Sequence, residues 1–243
     1  MKKFLVFILI VFSVLSLFSE WIGSGTSGER SQPVILEDNS TSLRMKLDFK
    51  GFSLTEKTEG DDSFYILSSP SGMGFGEMKI GVPDLPYFEY YVELKGSVLE
   101  TTAPVIINEQ MFSDPSKGIN NGILELNNHV YPTQEYQDEN RMFKMNEMYY
   151  TSAHLFPNNS VKFEFVGVVD GVHIGKITVY PLRYLASEKK LRIIDSIEFK
   201  IEYETPFNND QIINKAKYNT VNGVSYPVFD AKYSNLLNYT SVE

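Results

Sequence analysis

Apolar and polar side chains alternate along three segments between residues 161 and 203, and this alternation constrains the fold most. Residues 161–165 and 172–180 flank Asp170-Gly171, and residues 197–203 alternate almost without interruption. Successive residues of a strand point to opposite faces, so each segment is predicted to bury one face. Asp-Gly tolerates the positive φ angles of a tight turn, which predicts a β-hairpin between the first two segments. Three such strands need the rest of the chain to cover their apolar face.

Further strand patterns are found along most of the chain. Residues 43–49 alternate strictly, and shorter apolar runs occupy residues 34–36, 64–67 and 87–94. Helical periodicity is weak everywhere, although the tail could hold short helices at residues 211–217 and 228–238. We therefore expect an all-β protein, an antiparallel, jelly-roll-like β-sandwich with an irregular C-terminal tail.

Composition excludes several classes of function. The net charge is −9 over 243 residues, and Lys and Arg do not cluster, which argues against nucleic acid or an anionic membrane as a partner. Cysteine is absent, which removes disulfides, thiolate metal sites and a cysteine nucleophile from this chain. No catalytic residue, metal site or cofactor is expected.

The N-terminus has the pattern of a secretory signal peptide. Lys2 and Lys3 precede an apolar run over residues 4–18, which is short for a membrane span. We assign residues 1–19 to this signal and expect a bacterial protein of the periplasm, envelope or extracellular space, with no membrane contact after cleavage. An uncleaved N-terminal anchor is the alternative reading.

The mature chain divides into three predicted parts. Residues 20–35 are rich in Gly and Ser and are expected to form a flexible leader. Residues 36–204 carry the strand patterns of the sandwich, interrupted by a polar, weakly patterned insertion at residues 108–146. Residues 205–243 form the tail.

Two groups of side chains deserve consideration as sites. His129, His154 and His173 lack metal-ligand spacing, and His129 and His173 are interpreted as solvated loop or surface residues. The aromatic residues 87, 88, 90 and 91 could form a sugar-stacking platform, although strand spacing favours half of them as core. The alternative function on this basis is a secreted carbohydrate-binding or adhesin-like module.

A resemblance enters at residues 81–86. The sequence Gly81-Val82-Pro83-Asp84-Leu85-Pro86 resembles the G-x-P-x-L-P element of the N-terminal propeptide of gingipain-type (family C25) cysteine peptidases. A glycine-turned hairpin, a Pro-x-x-Tyr corner and a long final strand, in that order, are also similar. The residues that carry the resemblance are Gly81, Pro83, Leu85, Pro86, Gly171, Pro181 and Tyr184.

The resemblance implies an exported propeptide that keeps a peptidase latent and assists its folding. Its implied partner is the catalytic domain of a gingipain-like peptidase, in cis or in trans, and the family's catalytic residues would lie outside this chain. The tail is similar to the junction that precedes that domain, and we expect a monomer. Such enzymes prefer Arg or Lys before the scissile bond, so Arg141 and Lys144 are the candidates for an inhibitory loop. Two solvated loop charges are the alternative explanation for them.

The predicted hairpin turn gives a first test. Replacing Gly171 with Val should destabilise the domain by roughly 1–3 kcal/mol, because a β-branched residue would be forced to positive φ. Urea denaturation measures the change, and an unaltered midpoint would show that the turn does not need glycine at this position.

Overall fold

The computed structural model describes residues 19–70, 72, 79–99, 101–134, 142–169, 172–207, 219–221, 224–226 and 236–238. The strands are β1 (Ser19–Ile22), β2 (Pro33–Asp38), β3 (Ser42–Asp48), β4 (Phe52–Glu59), β5 (Asp62–Ser68), β6 (Phe88–Glu93), β7 (Gly96–Ser97), β8 (Val105–Met111), β9 (Ile123–Glu125), β10 (His129–Val130), β11 (Val161–Val169), β12 (Val172–Val179), β13 (Leu182–Leu185), β14 (Lys190–Glu202), β15 (Thr205–Pro206), β16 (Asn219–Val221) and β17 (Val224–Tyr226). The described helices are α1 (Glu147–Tyr150) and 3-10 turns at Pro115–Lys117 and Ala186–Glu188. The expectation of an all-β, sandwich-like fold is confirmed.

The largest sheet is built on β14. Its first residues pair with β13 and β9, and its later residues pair with β3 on one side and β8 on the other. β2 completes this sheet beyond β3. The alternating apolar residues Ile197, Phe199 and Ile201 are buried in the core. The alternation in the sequence therefore identified both the strand and its inner face.

The predicted hairpin is confirmed by the pairing of β11 with β12. The two strands are antiparallel and end with Val169 opposite Val172, and β6 pairs with the other edge of β12. Two residues, Asp170 and Gly171, join the strands and lie outside the described residues. The requirement for glycine at position 171 therefore stays a prediction.

A further sheet contains β1, β4, β5 and β10 in that order. β10 runs parallel to β5, whereas the other pairs are antiparallel. Rings of Phe49, Phe52 and Phe88 pack together in the common core, the first two stacked and the last edge-on to Phe49. One hydrophobic cluster thus joins this sheet to the others.

Residues 20–35 differ from the expected flexible leader. They include most of β1, which pairs with β4, and the side chain of Ile22 is only 1% exposed. The indole of Trp21 donates to the carbonyl of Gly25 (2.8 Å), and the Ser31 hydroxyl accepts the backbone N–H of Lys50 (2.9 Å). The Gly- and Ser-rich composition suggested a flexible chain, but pairing with β4 and the burial of Ile22 hold it to the sandwich.

The described parts of the insertion, residues 108–134 and 142–146, also hold more regular structure than the sequence suggested. β8 extends into the insertion as far as Met111, and β9 and β10 both lie within it. Two-residue and three-residue strands are too short to show a period, so the pattern could not define their bounds.

The tail returns to the sandwich at residues 236–238. Leu236 forms a parallel bridge with Tyr91 and packs on Val172, so this part is not helical. Residues 211–217, the other possible helix, lie outside the described residues. In the part of the chain that the structure describes, no helix is long and apolar enough to cross a membrane.

Asn238 anchors this end of the tail with its buried side-chain amide. Its Oδ1 accepts the N–H of Glu93 (2.7 Å), and its Nδ2 donates to the carbonyl of Glu93 (2.8 Å) and to Asp38 Oδ2 (3.2 Å). The amide therefore satisfies both backbone groups of one residue at the edge of β6, as a neighbouring strand would.

Asn238→Ala is predicted to cost about 2–3 kcal/mol of stability, because it removes the hydrogen bonds to both backbone groups of Glu93. Urea denaturation at constant pH measures this cost. Asn159→Ala, at an exposed position, is the matched control and should change stability little. Equal midpoints for the two variants would contradict the anchoring role.

Candidate functional site

The family-like element at residues 81–86 lies against both ends of the segment that carries Arg141 and Lys144. Gly81 has φ +86°, and a Cβ placed there would lie 2.9 Å from the backbone nitrogen of Asn146. Its N–H donates to the carbonyl of Thr133 (2.7 Å), while its own carbonyl accepts the N–H of Asn146 (2.9 Å). Glycine is needed here both for its conformation and for this close approach.

The rest of the element continues the contact. Thr133 N–H donates to the carbonyl of Val82 (2.8 Å), Asp84 N–H donates to the carbonyl of Tyr131 (2.9 Å), and Pro83 lies opposite Pro132. Pro83, Leu85 and Pro86 are all buried. The contacts of residues 81–86 therefore hold residues 131–133 in place.

The two ends of the following loop meet at Gln134 and Lys144. The Gln134 Nε2 donates to the carbonyl of Lys144 (2.7 Å) and to that of Pro132 (3.1 Å). The N–H of Lys144 donates to Gln134 Oε1 (3.0 Å). We refer to residues 130–134 and 142–146 together as the loop neck.

Aromatic packing fixes the inner side of the loop neck. The ring of Phe143 lies between those of Phe64 and Tyr131, with centroids 5.3 and 5.9 Å away. Tyr131 in turn donates its hydroxyl to Glu59 Oε2 (2.8 Å), and Lys57 Nζ lies 3.8 Å from the centre of its ring. The neck is thus bound to β4 and β5.

Exposed side chains cover the outer side of the loop neck. Lys144 is exposed, Met142 is 81% exposed and Met148, at the start of α1, is 70% exposed. Exposed methionines beside a lysine are suited to contact with another protein, because the thioether side chain adapts its shape to a partner. Arg141, the other candidate from the sequence, lies outside the described residues.

The Pro-x-x-Tyr corner, residues 181–184, contacts β10, which leads into the loop neck. Tyr184 is fully buried, exchanges backbone hydrogen bonds with Phe156 (2.7 and 2.8 Å), and places its hydroxyl 2.9 Å from His129 Nδ1. The carbonyl of Pro181 accepts the N–H of Ile194 in β14 (2.9 Å). The corner thereby connects β14 to β10.

His129 is not the solvated loop residue that its sequence context indicated. Its ring lies edge-on to Tyr150 and Tyr184, and burial lowers its pKa, with the charge of Lys189 adding to the effect. Burial also raises the pKa of both tyrosines. Tyr150 donates its hydroxyl to the carbonyl of Val130 (2.7 Å), so this cluster holds the first residue of the loop neck.

His173 is likewise partly buried. Its ring centroid lies 4.3 Å from that of Phe207, and burial lowers its pKa. His173, interpreted from the sequence as a surface residue, is therefore partly covered by Phe207. Within the described ranges, no three His, Asp or Glu side chains come close enough together to hold a metal ion.

The four aromatic residues of the supposed sugar platform do not share one face. Phe88 is 1% exposed, and Tyr90 packs against the core. Tyr87 lies against Tyr180, with ring centroids 5.9 Å apart, while Tyr91 directs its hydroxyl to Glu89. The alternation along β6 divides the rings between the interior and the surface.

Sequence reasoning missed Gln134 altogether. It lies among polar residues with weak patterning, and a glutamine that closes a loop has no local signature. It directly follows residues 131–133, and the hydrogen bonds of those residues to residues 81–84 are visible only in the folded chain.

Comparisons with known proteins agree with this fold. The chain has the architecture of a peptidase propeptide, and the profile of the Propeptide_C25 family matches residues 28–236. The chain therefore belongs to that family and is a propeptide domain of a C25 cysteine peptidase. No curated protein sequence matches it.

Two solved structures resemble the chain closely in fold. One comes from a study of the zymogenic latency of gingipain K from Porphyromonas gingivalis, at 18% identity and a TM-score of 0.58, covering 76% of this chain and 97% of that one. The other is the complex of the pro- and mature domains of Porphyromonas gingivalis RgpB, at 15% identity and a TM-score of 0.61, covering 86% and 98%.

The His129 cluster predicts a pH dependence of stability. The folded-state pKa of His129 lies below its ordinary value of 6.5, so the unfolded chain binds the proton first as the pH falls. Stability should therefore be lost as the pH drops below 6.5 towards the folded-state pKa. Urea midpoints of the wild type measured across this interval should decline more steeply than those of His129→Gln.

His154→Gln provides the control, since His154 is exposed. This variant should keep the wild-type pH dependence. Parallel curves for the wild type and His129→Gln would contradict the assignment of the acid sensitivity to this cluster.

Proposed function

We propose that this chain keeps a gingipain-like cysteine peptidase latent by docking on its catalytic domain and presenting a basic residue of the loop after Gln134 to the active-site cleft. The observation that carries the proposal is the position of the family-like element. It does not stand apart as a surface motif but hydrogen-bonds to both ends of the loop neck, through Thr133 and Asn146.

The geometry of Lys144 suits this role. Its side chain is exposed, while its backbone N–H and carbonyl are both held by Gln134. A residue whose backbone is fixed before binding loses little conformational entropy on docking, which favours affinity. A basic side chain would then pair with an acidic group in a specificity pocket selective for Lys or Arg.

The proposal extends to folding, partner and location. A preformed sandwich that docks on the catalytic domain can also act as a template for its folding, in cis or in trans. We infer export through the N-terminal signal, to the periplasm or beyond, and a monomeric propeptide. The carbohydrate-binding alternative is not favoured, because Phe88 and Tyr90 belong to the core.

The proposal is tested with the purified chain and a C25 peptidase from the same organism. We expect inhibition at submicromolar concentration, since a standard-sized interface between preformed domains reaches such affinities. Arg141→Ala and Lys144→Ala should weaken it by about 1–3 kcal/mol where the side chain fills the specificity pocket, because truncation leaves the pocket's acid unpaired. Inhibition constants from steady-state kinetics measure the change.

Arg30→Ala is the matched control, since Arg30 is an exposed cation outside the loop neck. It should inhibit as the wild type does. Full inhibition by the Arg141→Ala/Lys144→Ala double variant would place the inhibitory contact elsewhere, and failure of the wild-type chain to inhibit would refute the latency role.

A further inference from the structure

Gln134 has a single possible orientation in its site. The side chain is only 8% exposed, and its amide contacts two carbonyl oxygens and one N–H group. Rotating the amide by half a turn would place its oxygen against the carbonyls of Pro132 and Lys144 and its NH2 group against an N–H, which are repulsive contacts. The three partners therefore fix the amide.

The two contacts with Lys144 reproduce the exchange of hydrogen bonds between paired strand residues. Gln134 Oε1 accepts the N–H of Lys144, and Nε2 donates to the carbonyl of the same residue, at 3.0 and 2.7 Å. Ten residues separate the two partners along the chain. The side chain thus closes the loop neck where the backbone offers no strand to pair with.

This arrangement occupies the carbonyl oxygen of Lys144, which a peptidase must bind to hydrolyse the Lys144–Met145 bond. A peptidase that cuts after Lys144 must bind the oxygen of the Lys144–Met145 peptide bond in its oxyanion hole. That oxygen already accepts a hydrogen bond from Gln134. On the other side of the bond, Met145 packs against the core and the N–H of Asn146 is held by Gly81.

We propose that Gln134 is a positioning residue that protects the Lys144–Met145 bond from hydrolysis by peptidases specific for basic residues. It does so by occupying the Lys144 carbonyl and by holding the loop neck closed. Combined with the proposed function, on which this part of the inference rests, the protection allows Lys144 to be presented to the catalytic domain without being cut.

Limited proteolysis with trypsin tests the protection without the cognate peptidase. Trypsin cuts after Lys and Arg, and mass spectrometry gives the initial rate at each bond separately. Gln134→Ala removes both hydrogen bonds to Lys144, so the initial rate at Lys144–Met145 should rise by about tenfold or more. Gln134→Glu should also raise it, because a carboxylate cannot donate to the Lys144 carbonyl.

The specificity of the effect separates protection from general destabilisation. Unfolding would accelerate cleavage at every Lys and Arg, whereas an opened neck should raise the rate at Lys144–Met145 relative to the other bonds. Gln110→Ala, on the exposed side of β8, is the matched control and should leave the pattern unchanged. An unchanged rate at Lys144–Met145 in Gln134→Ala, or an equal rise at all sites, would overturn the proposal.

A second measurement connects the result to the proposed function. With a C25 peptidase, the wild type should inhibit persistently, whereas inhibition by Gln134→Ala should decay as the Lys144–Met145 bond is cut. Selective trypsin cleavage of the variant together with no inhibition by the wild type would refute latency and leave the protection standing. Persistent inhibition by an uncut Gln134→Ala would refute the protection and leave latency standing.

Discussion

The pairing of β14 on both of its edges is the constraint on which the rest of the structure depends. Its 13 residues span about 40 Å, longer than any of its partners. β14 therefore pairs with β9 and β13 along its first half and with β3 and β8 along its second half. Tyr184 lies opposite Leu191 in this ladder, and its hydroxyl reaches His129 at the base of the loop neck. The site is thereby positioned by the longest of the described strands.

Side-chain amides take the place of a neighbouring strand at two positions. Gln134 hydrogen-bonds to the backbone of Lys144, and Asn238 hydrogen-bonds to the backbone of Glu93. Each amide accepts the N–H and donates to the carbonyl of its partner residue. Buried backbone groups without partners would cost about 1–3 kcal/mol each. Both uses occur where a segment leaves or rejoins the sandwich.

The sequence revealed elements with a local period and missed those held by distant contacts. Alternation predicted β14 and the β11–β12 hairpin, and the family resemblance singled out Gly81, whose role became clear only from its contact with Asn146. The order around Trp21 and Ile22 was missed because it depends on pairing with β4, some 30 residues away. Lys144 could be proposed from its charge together with the specificity that the family resemblance implies. Gln134 could not, because its partner lies across a loop and no periodic pattern encodes that contact.

Contacts among three separate stretches of chain hold the loop neck together, namely residues 81–86, residues 129–134 and residues 143–150. None of them holds Lys144 in place alone. Gly81 accepts a hydrogen bond from the N–H of Asn146, and Gln134 follows residues 131–133, which hydrogen-bond to residues 81–86. The carbonyl of Val130 accepts a hydrogen bond from the hydroxyl of Tyr150. An isolated peptide carrying Lys144 would lack every one of these contacts and would be an ordinary substrate for a peptidase that cuts after Lys. Under the proposed function, inhibition therefore requires the folded domain. Under the same proposal, loss of the fold would end latency without any change in the loop itself.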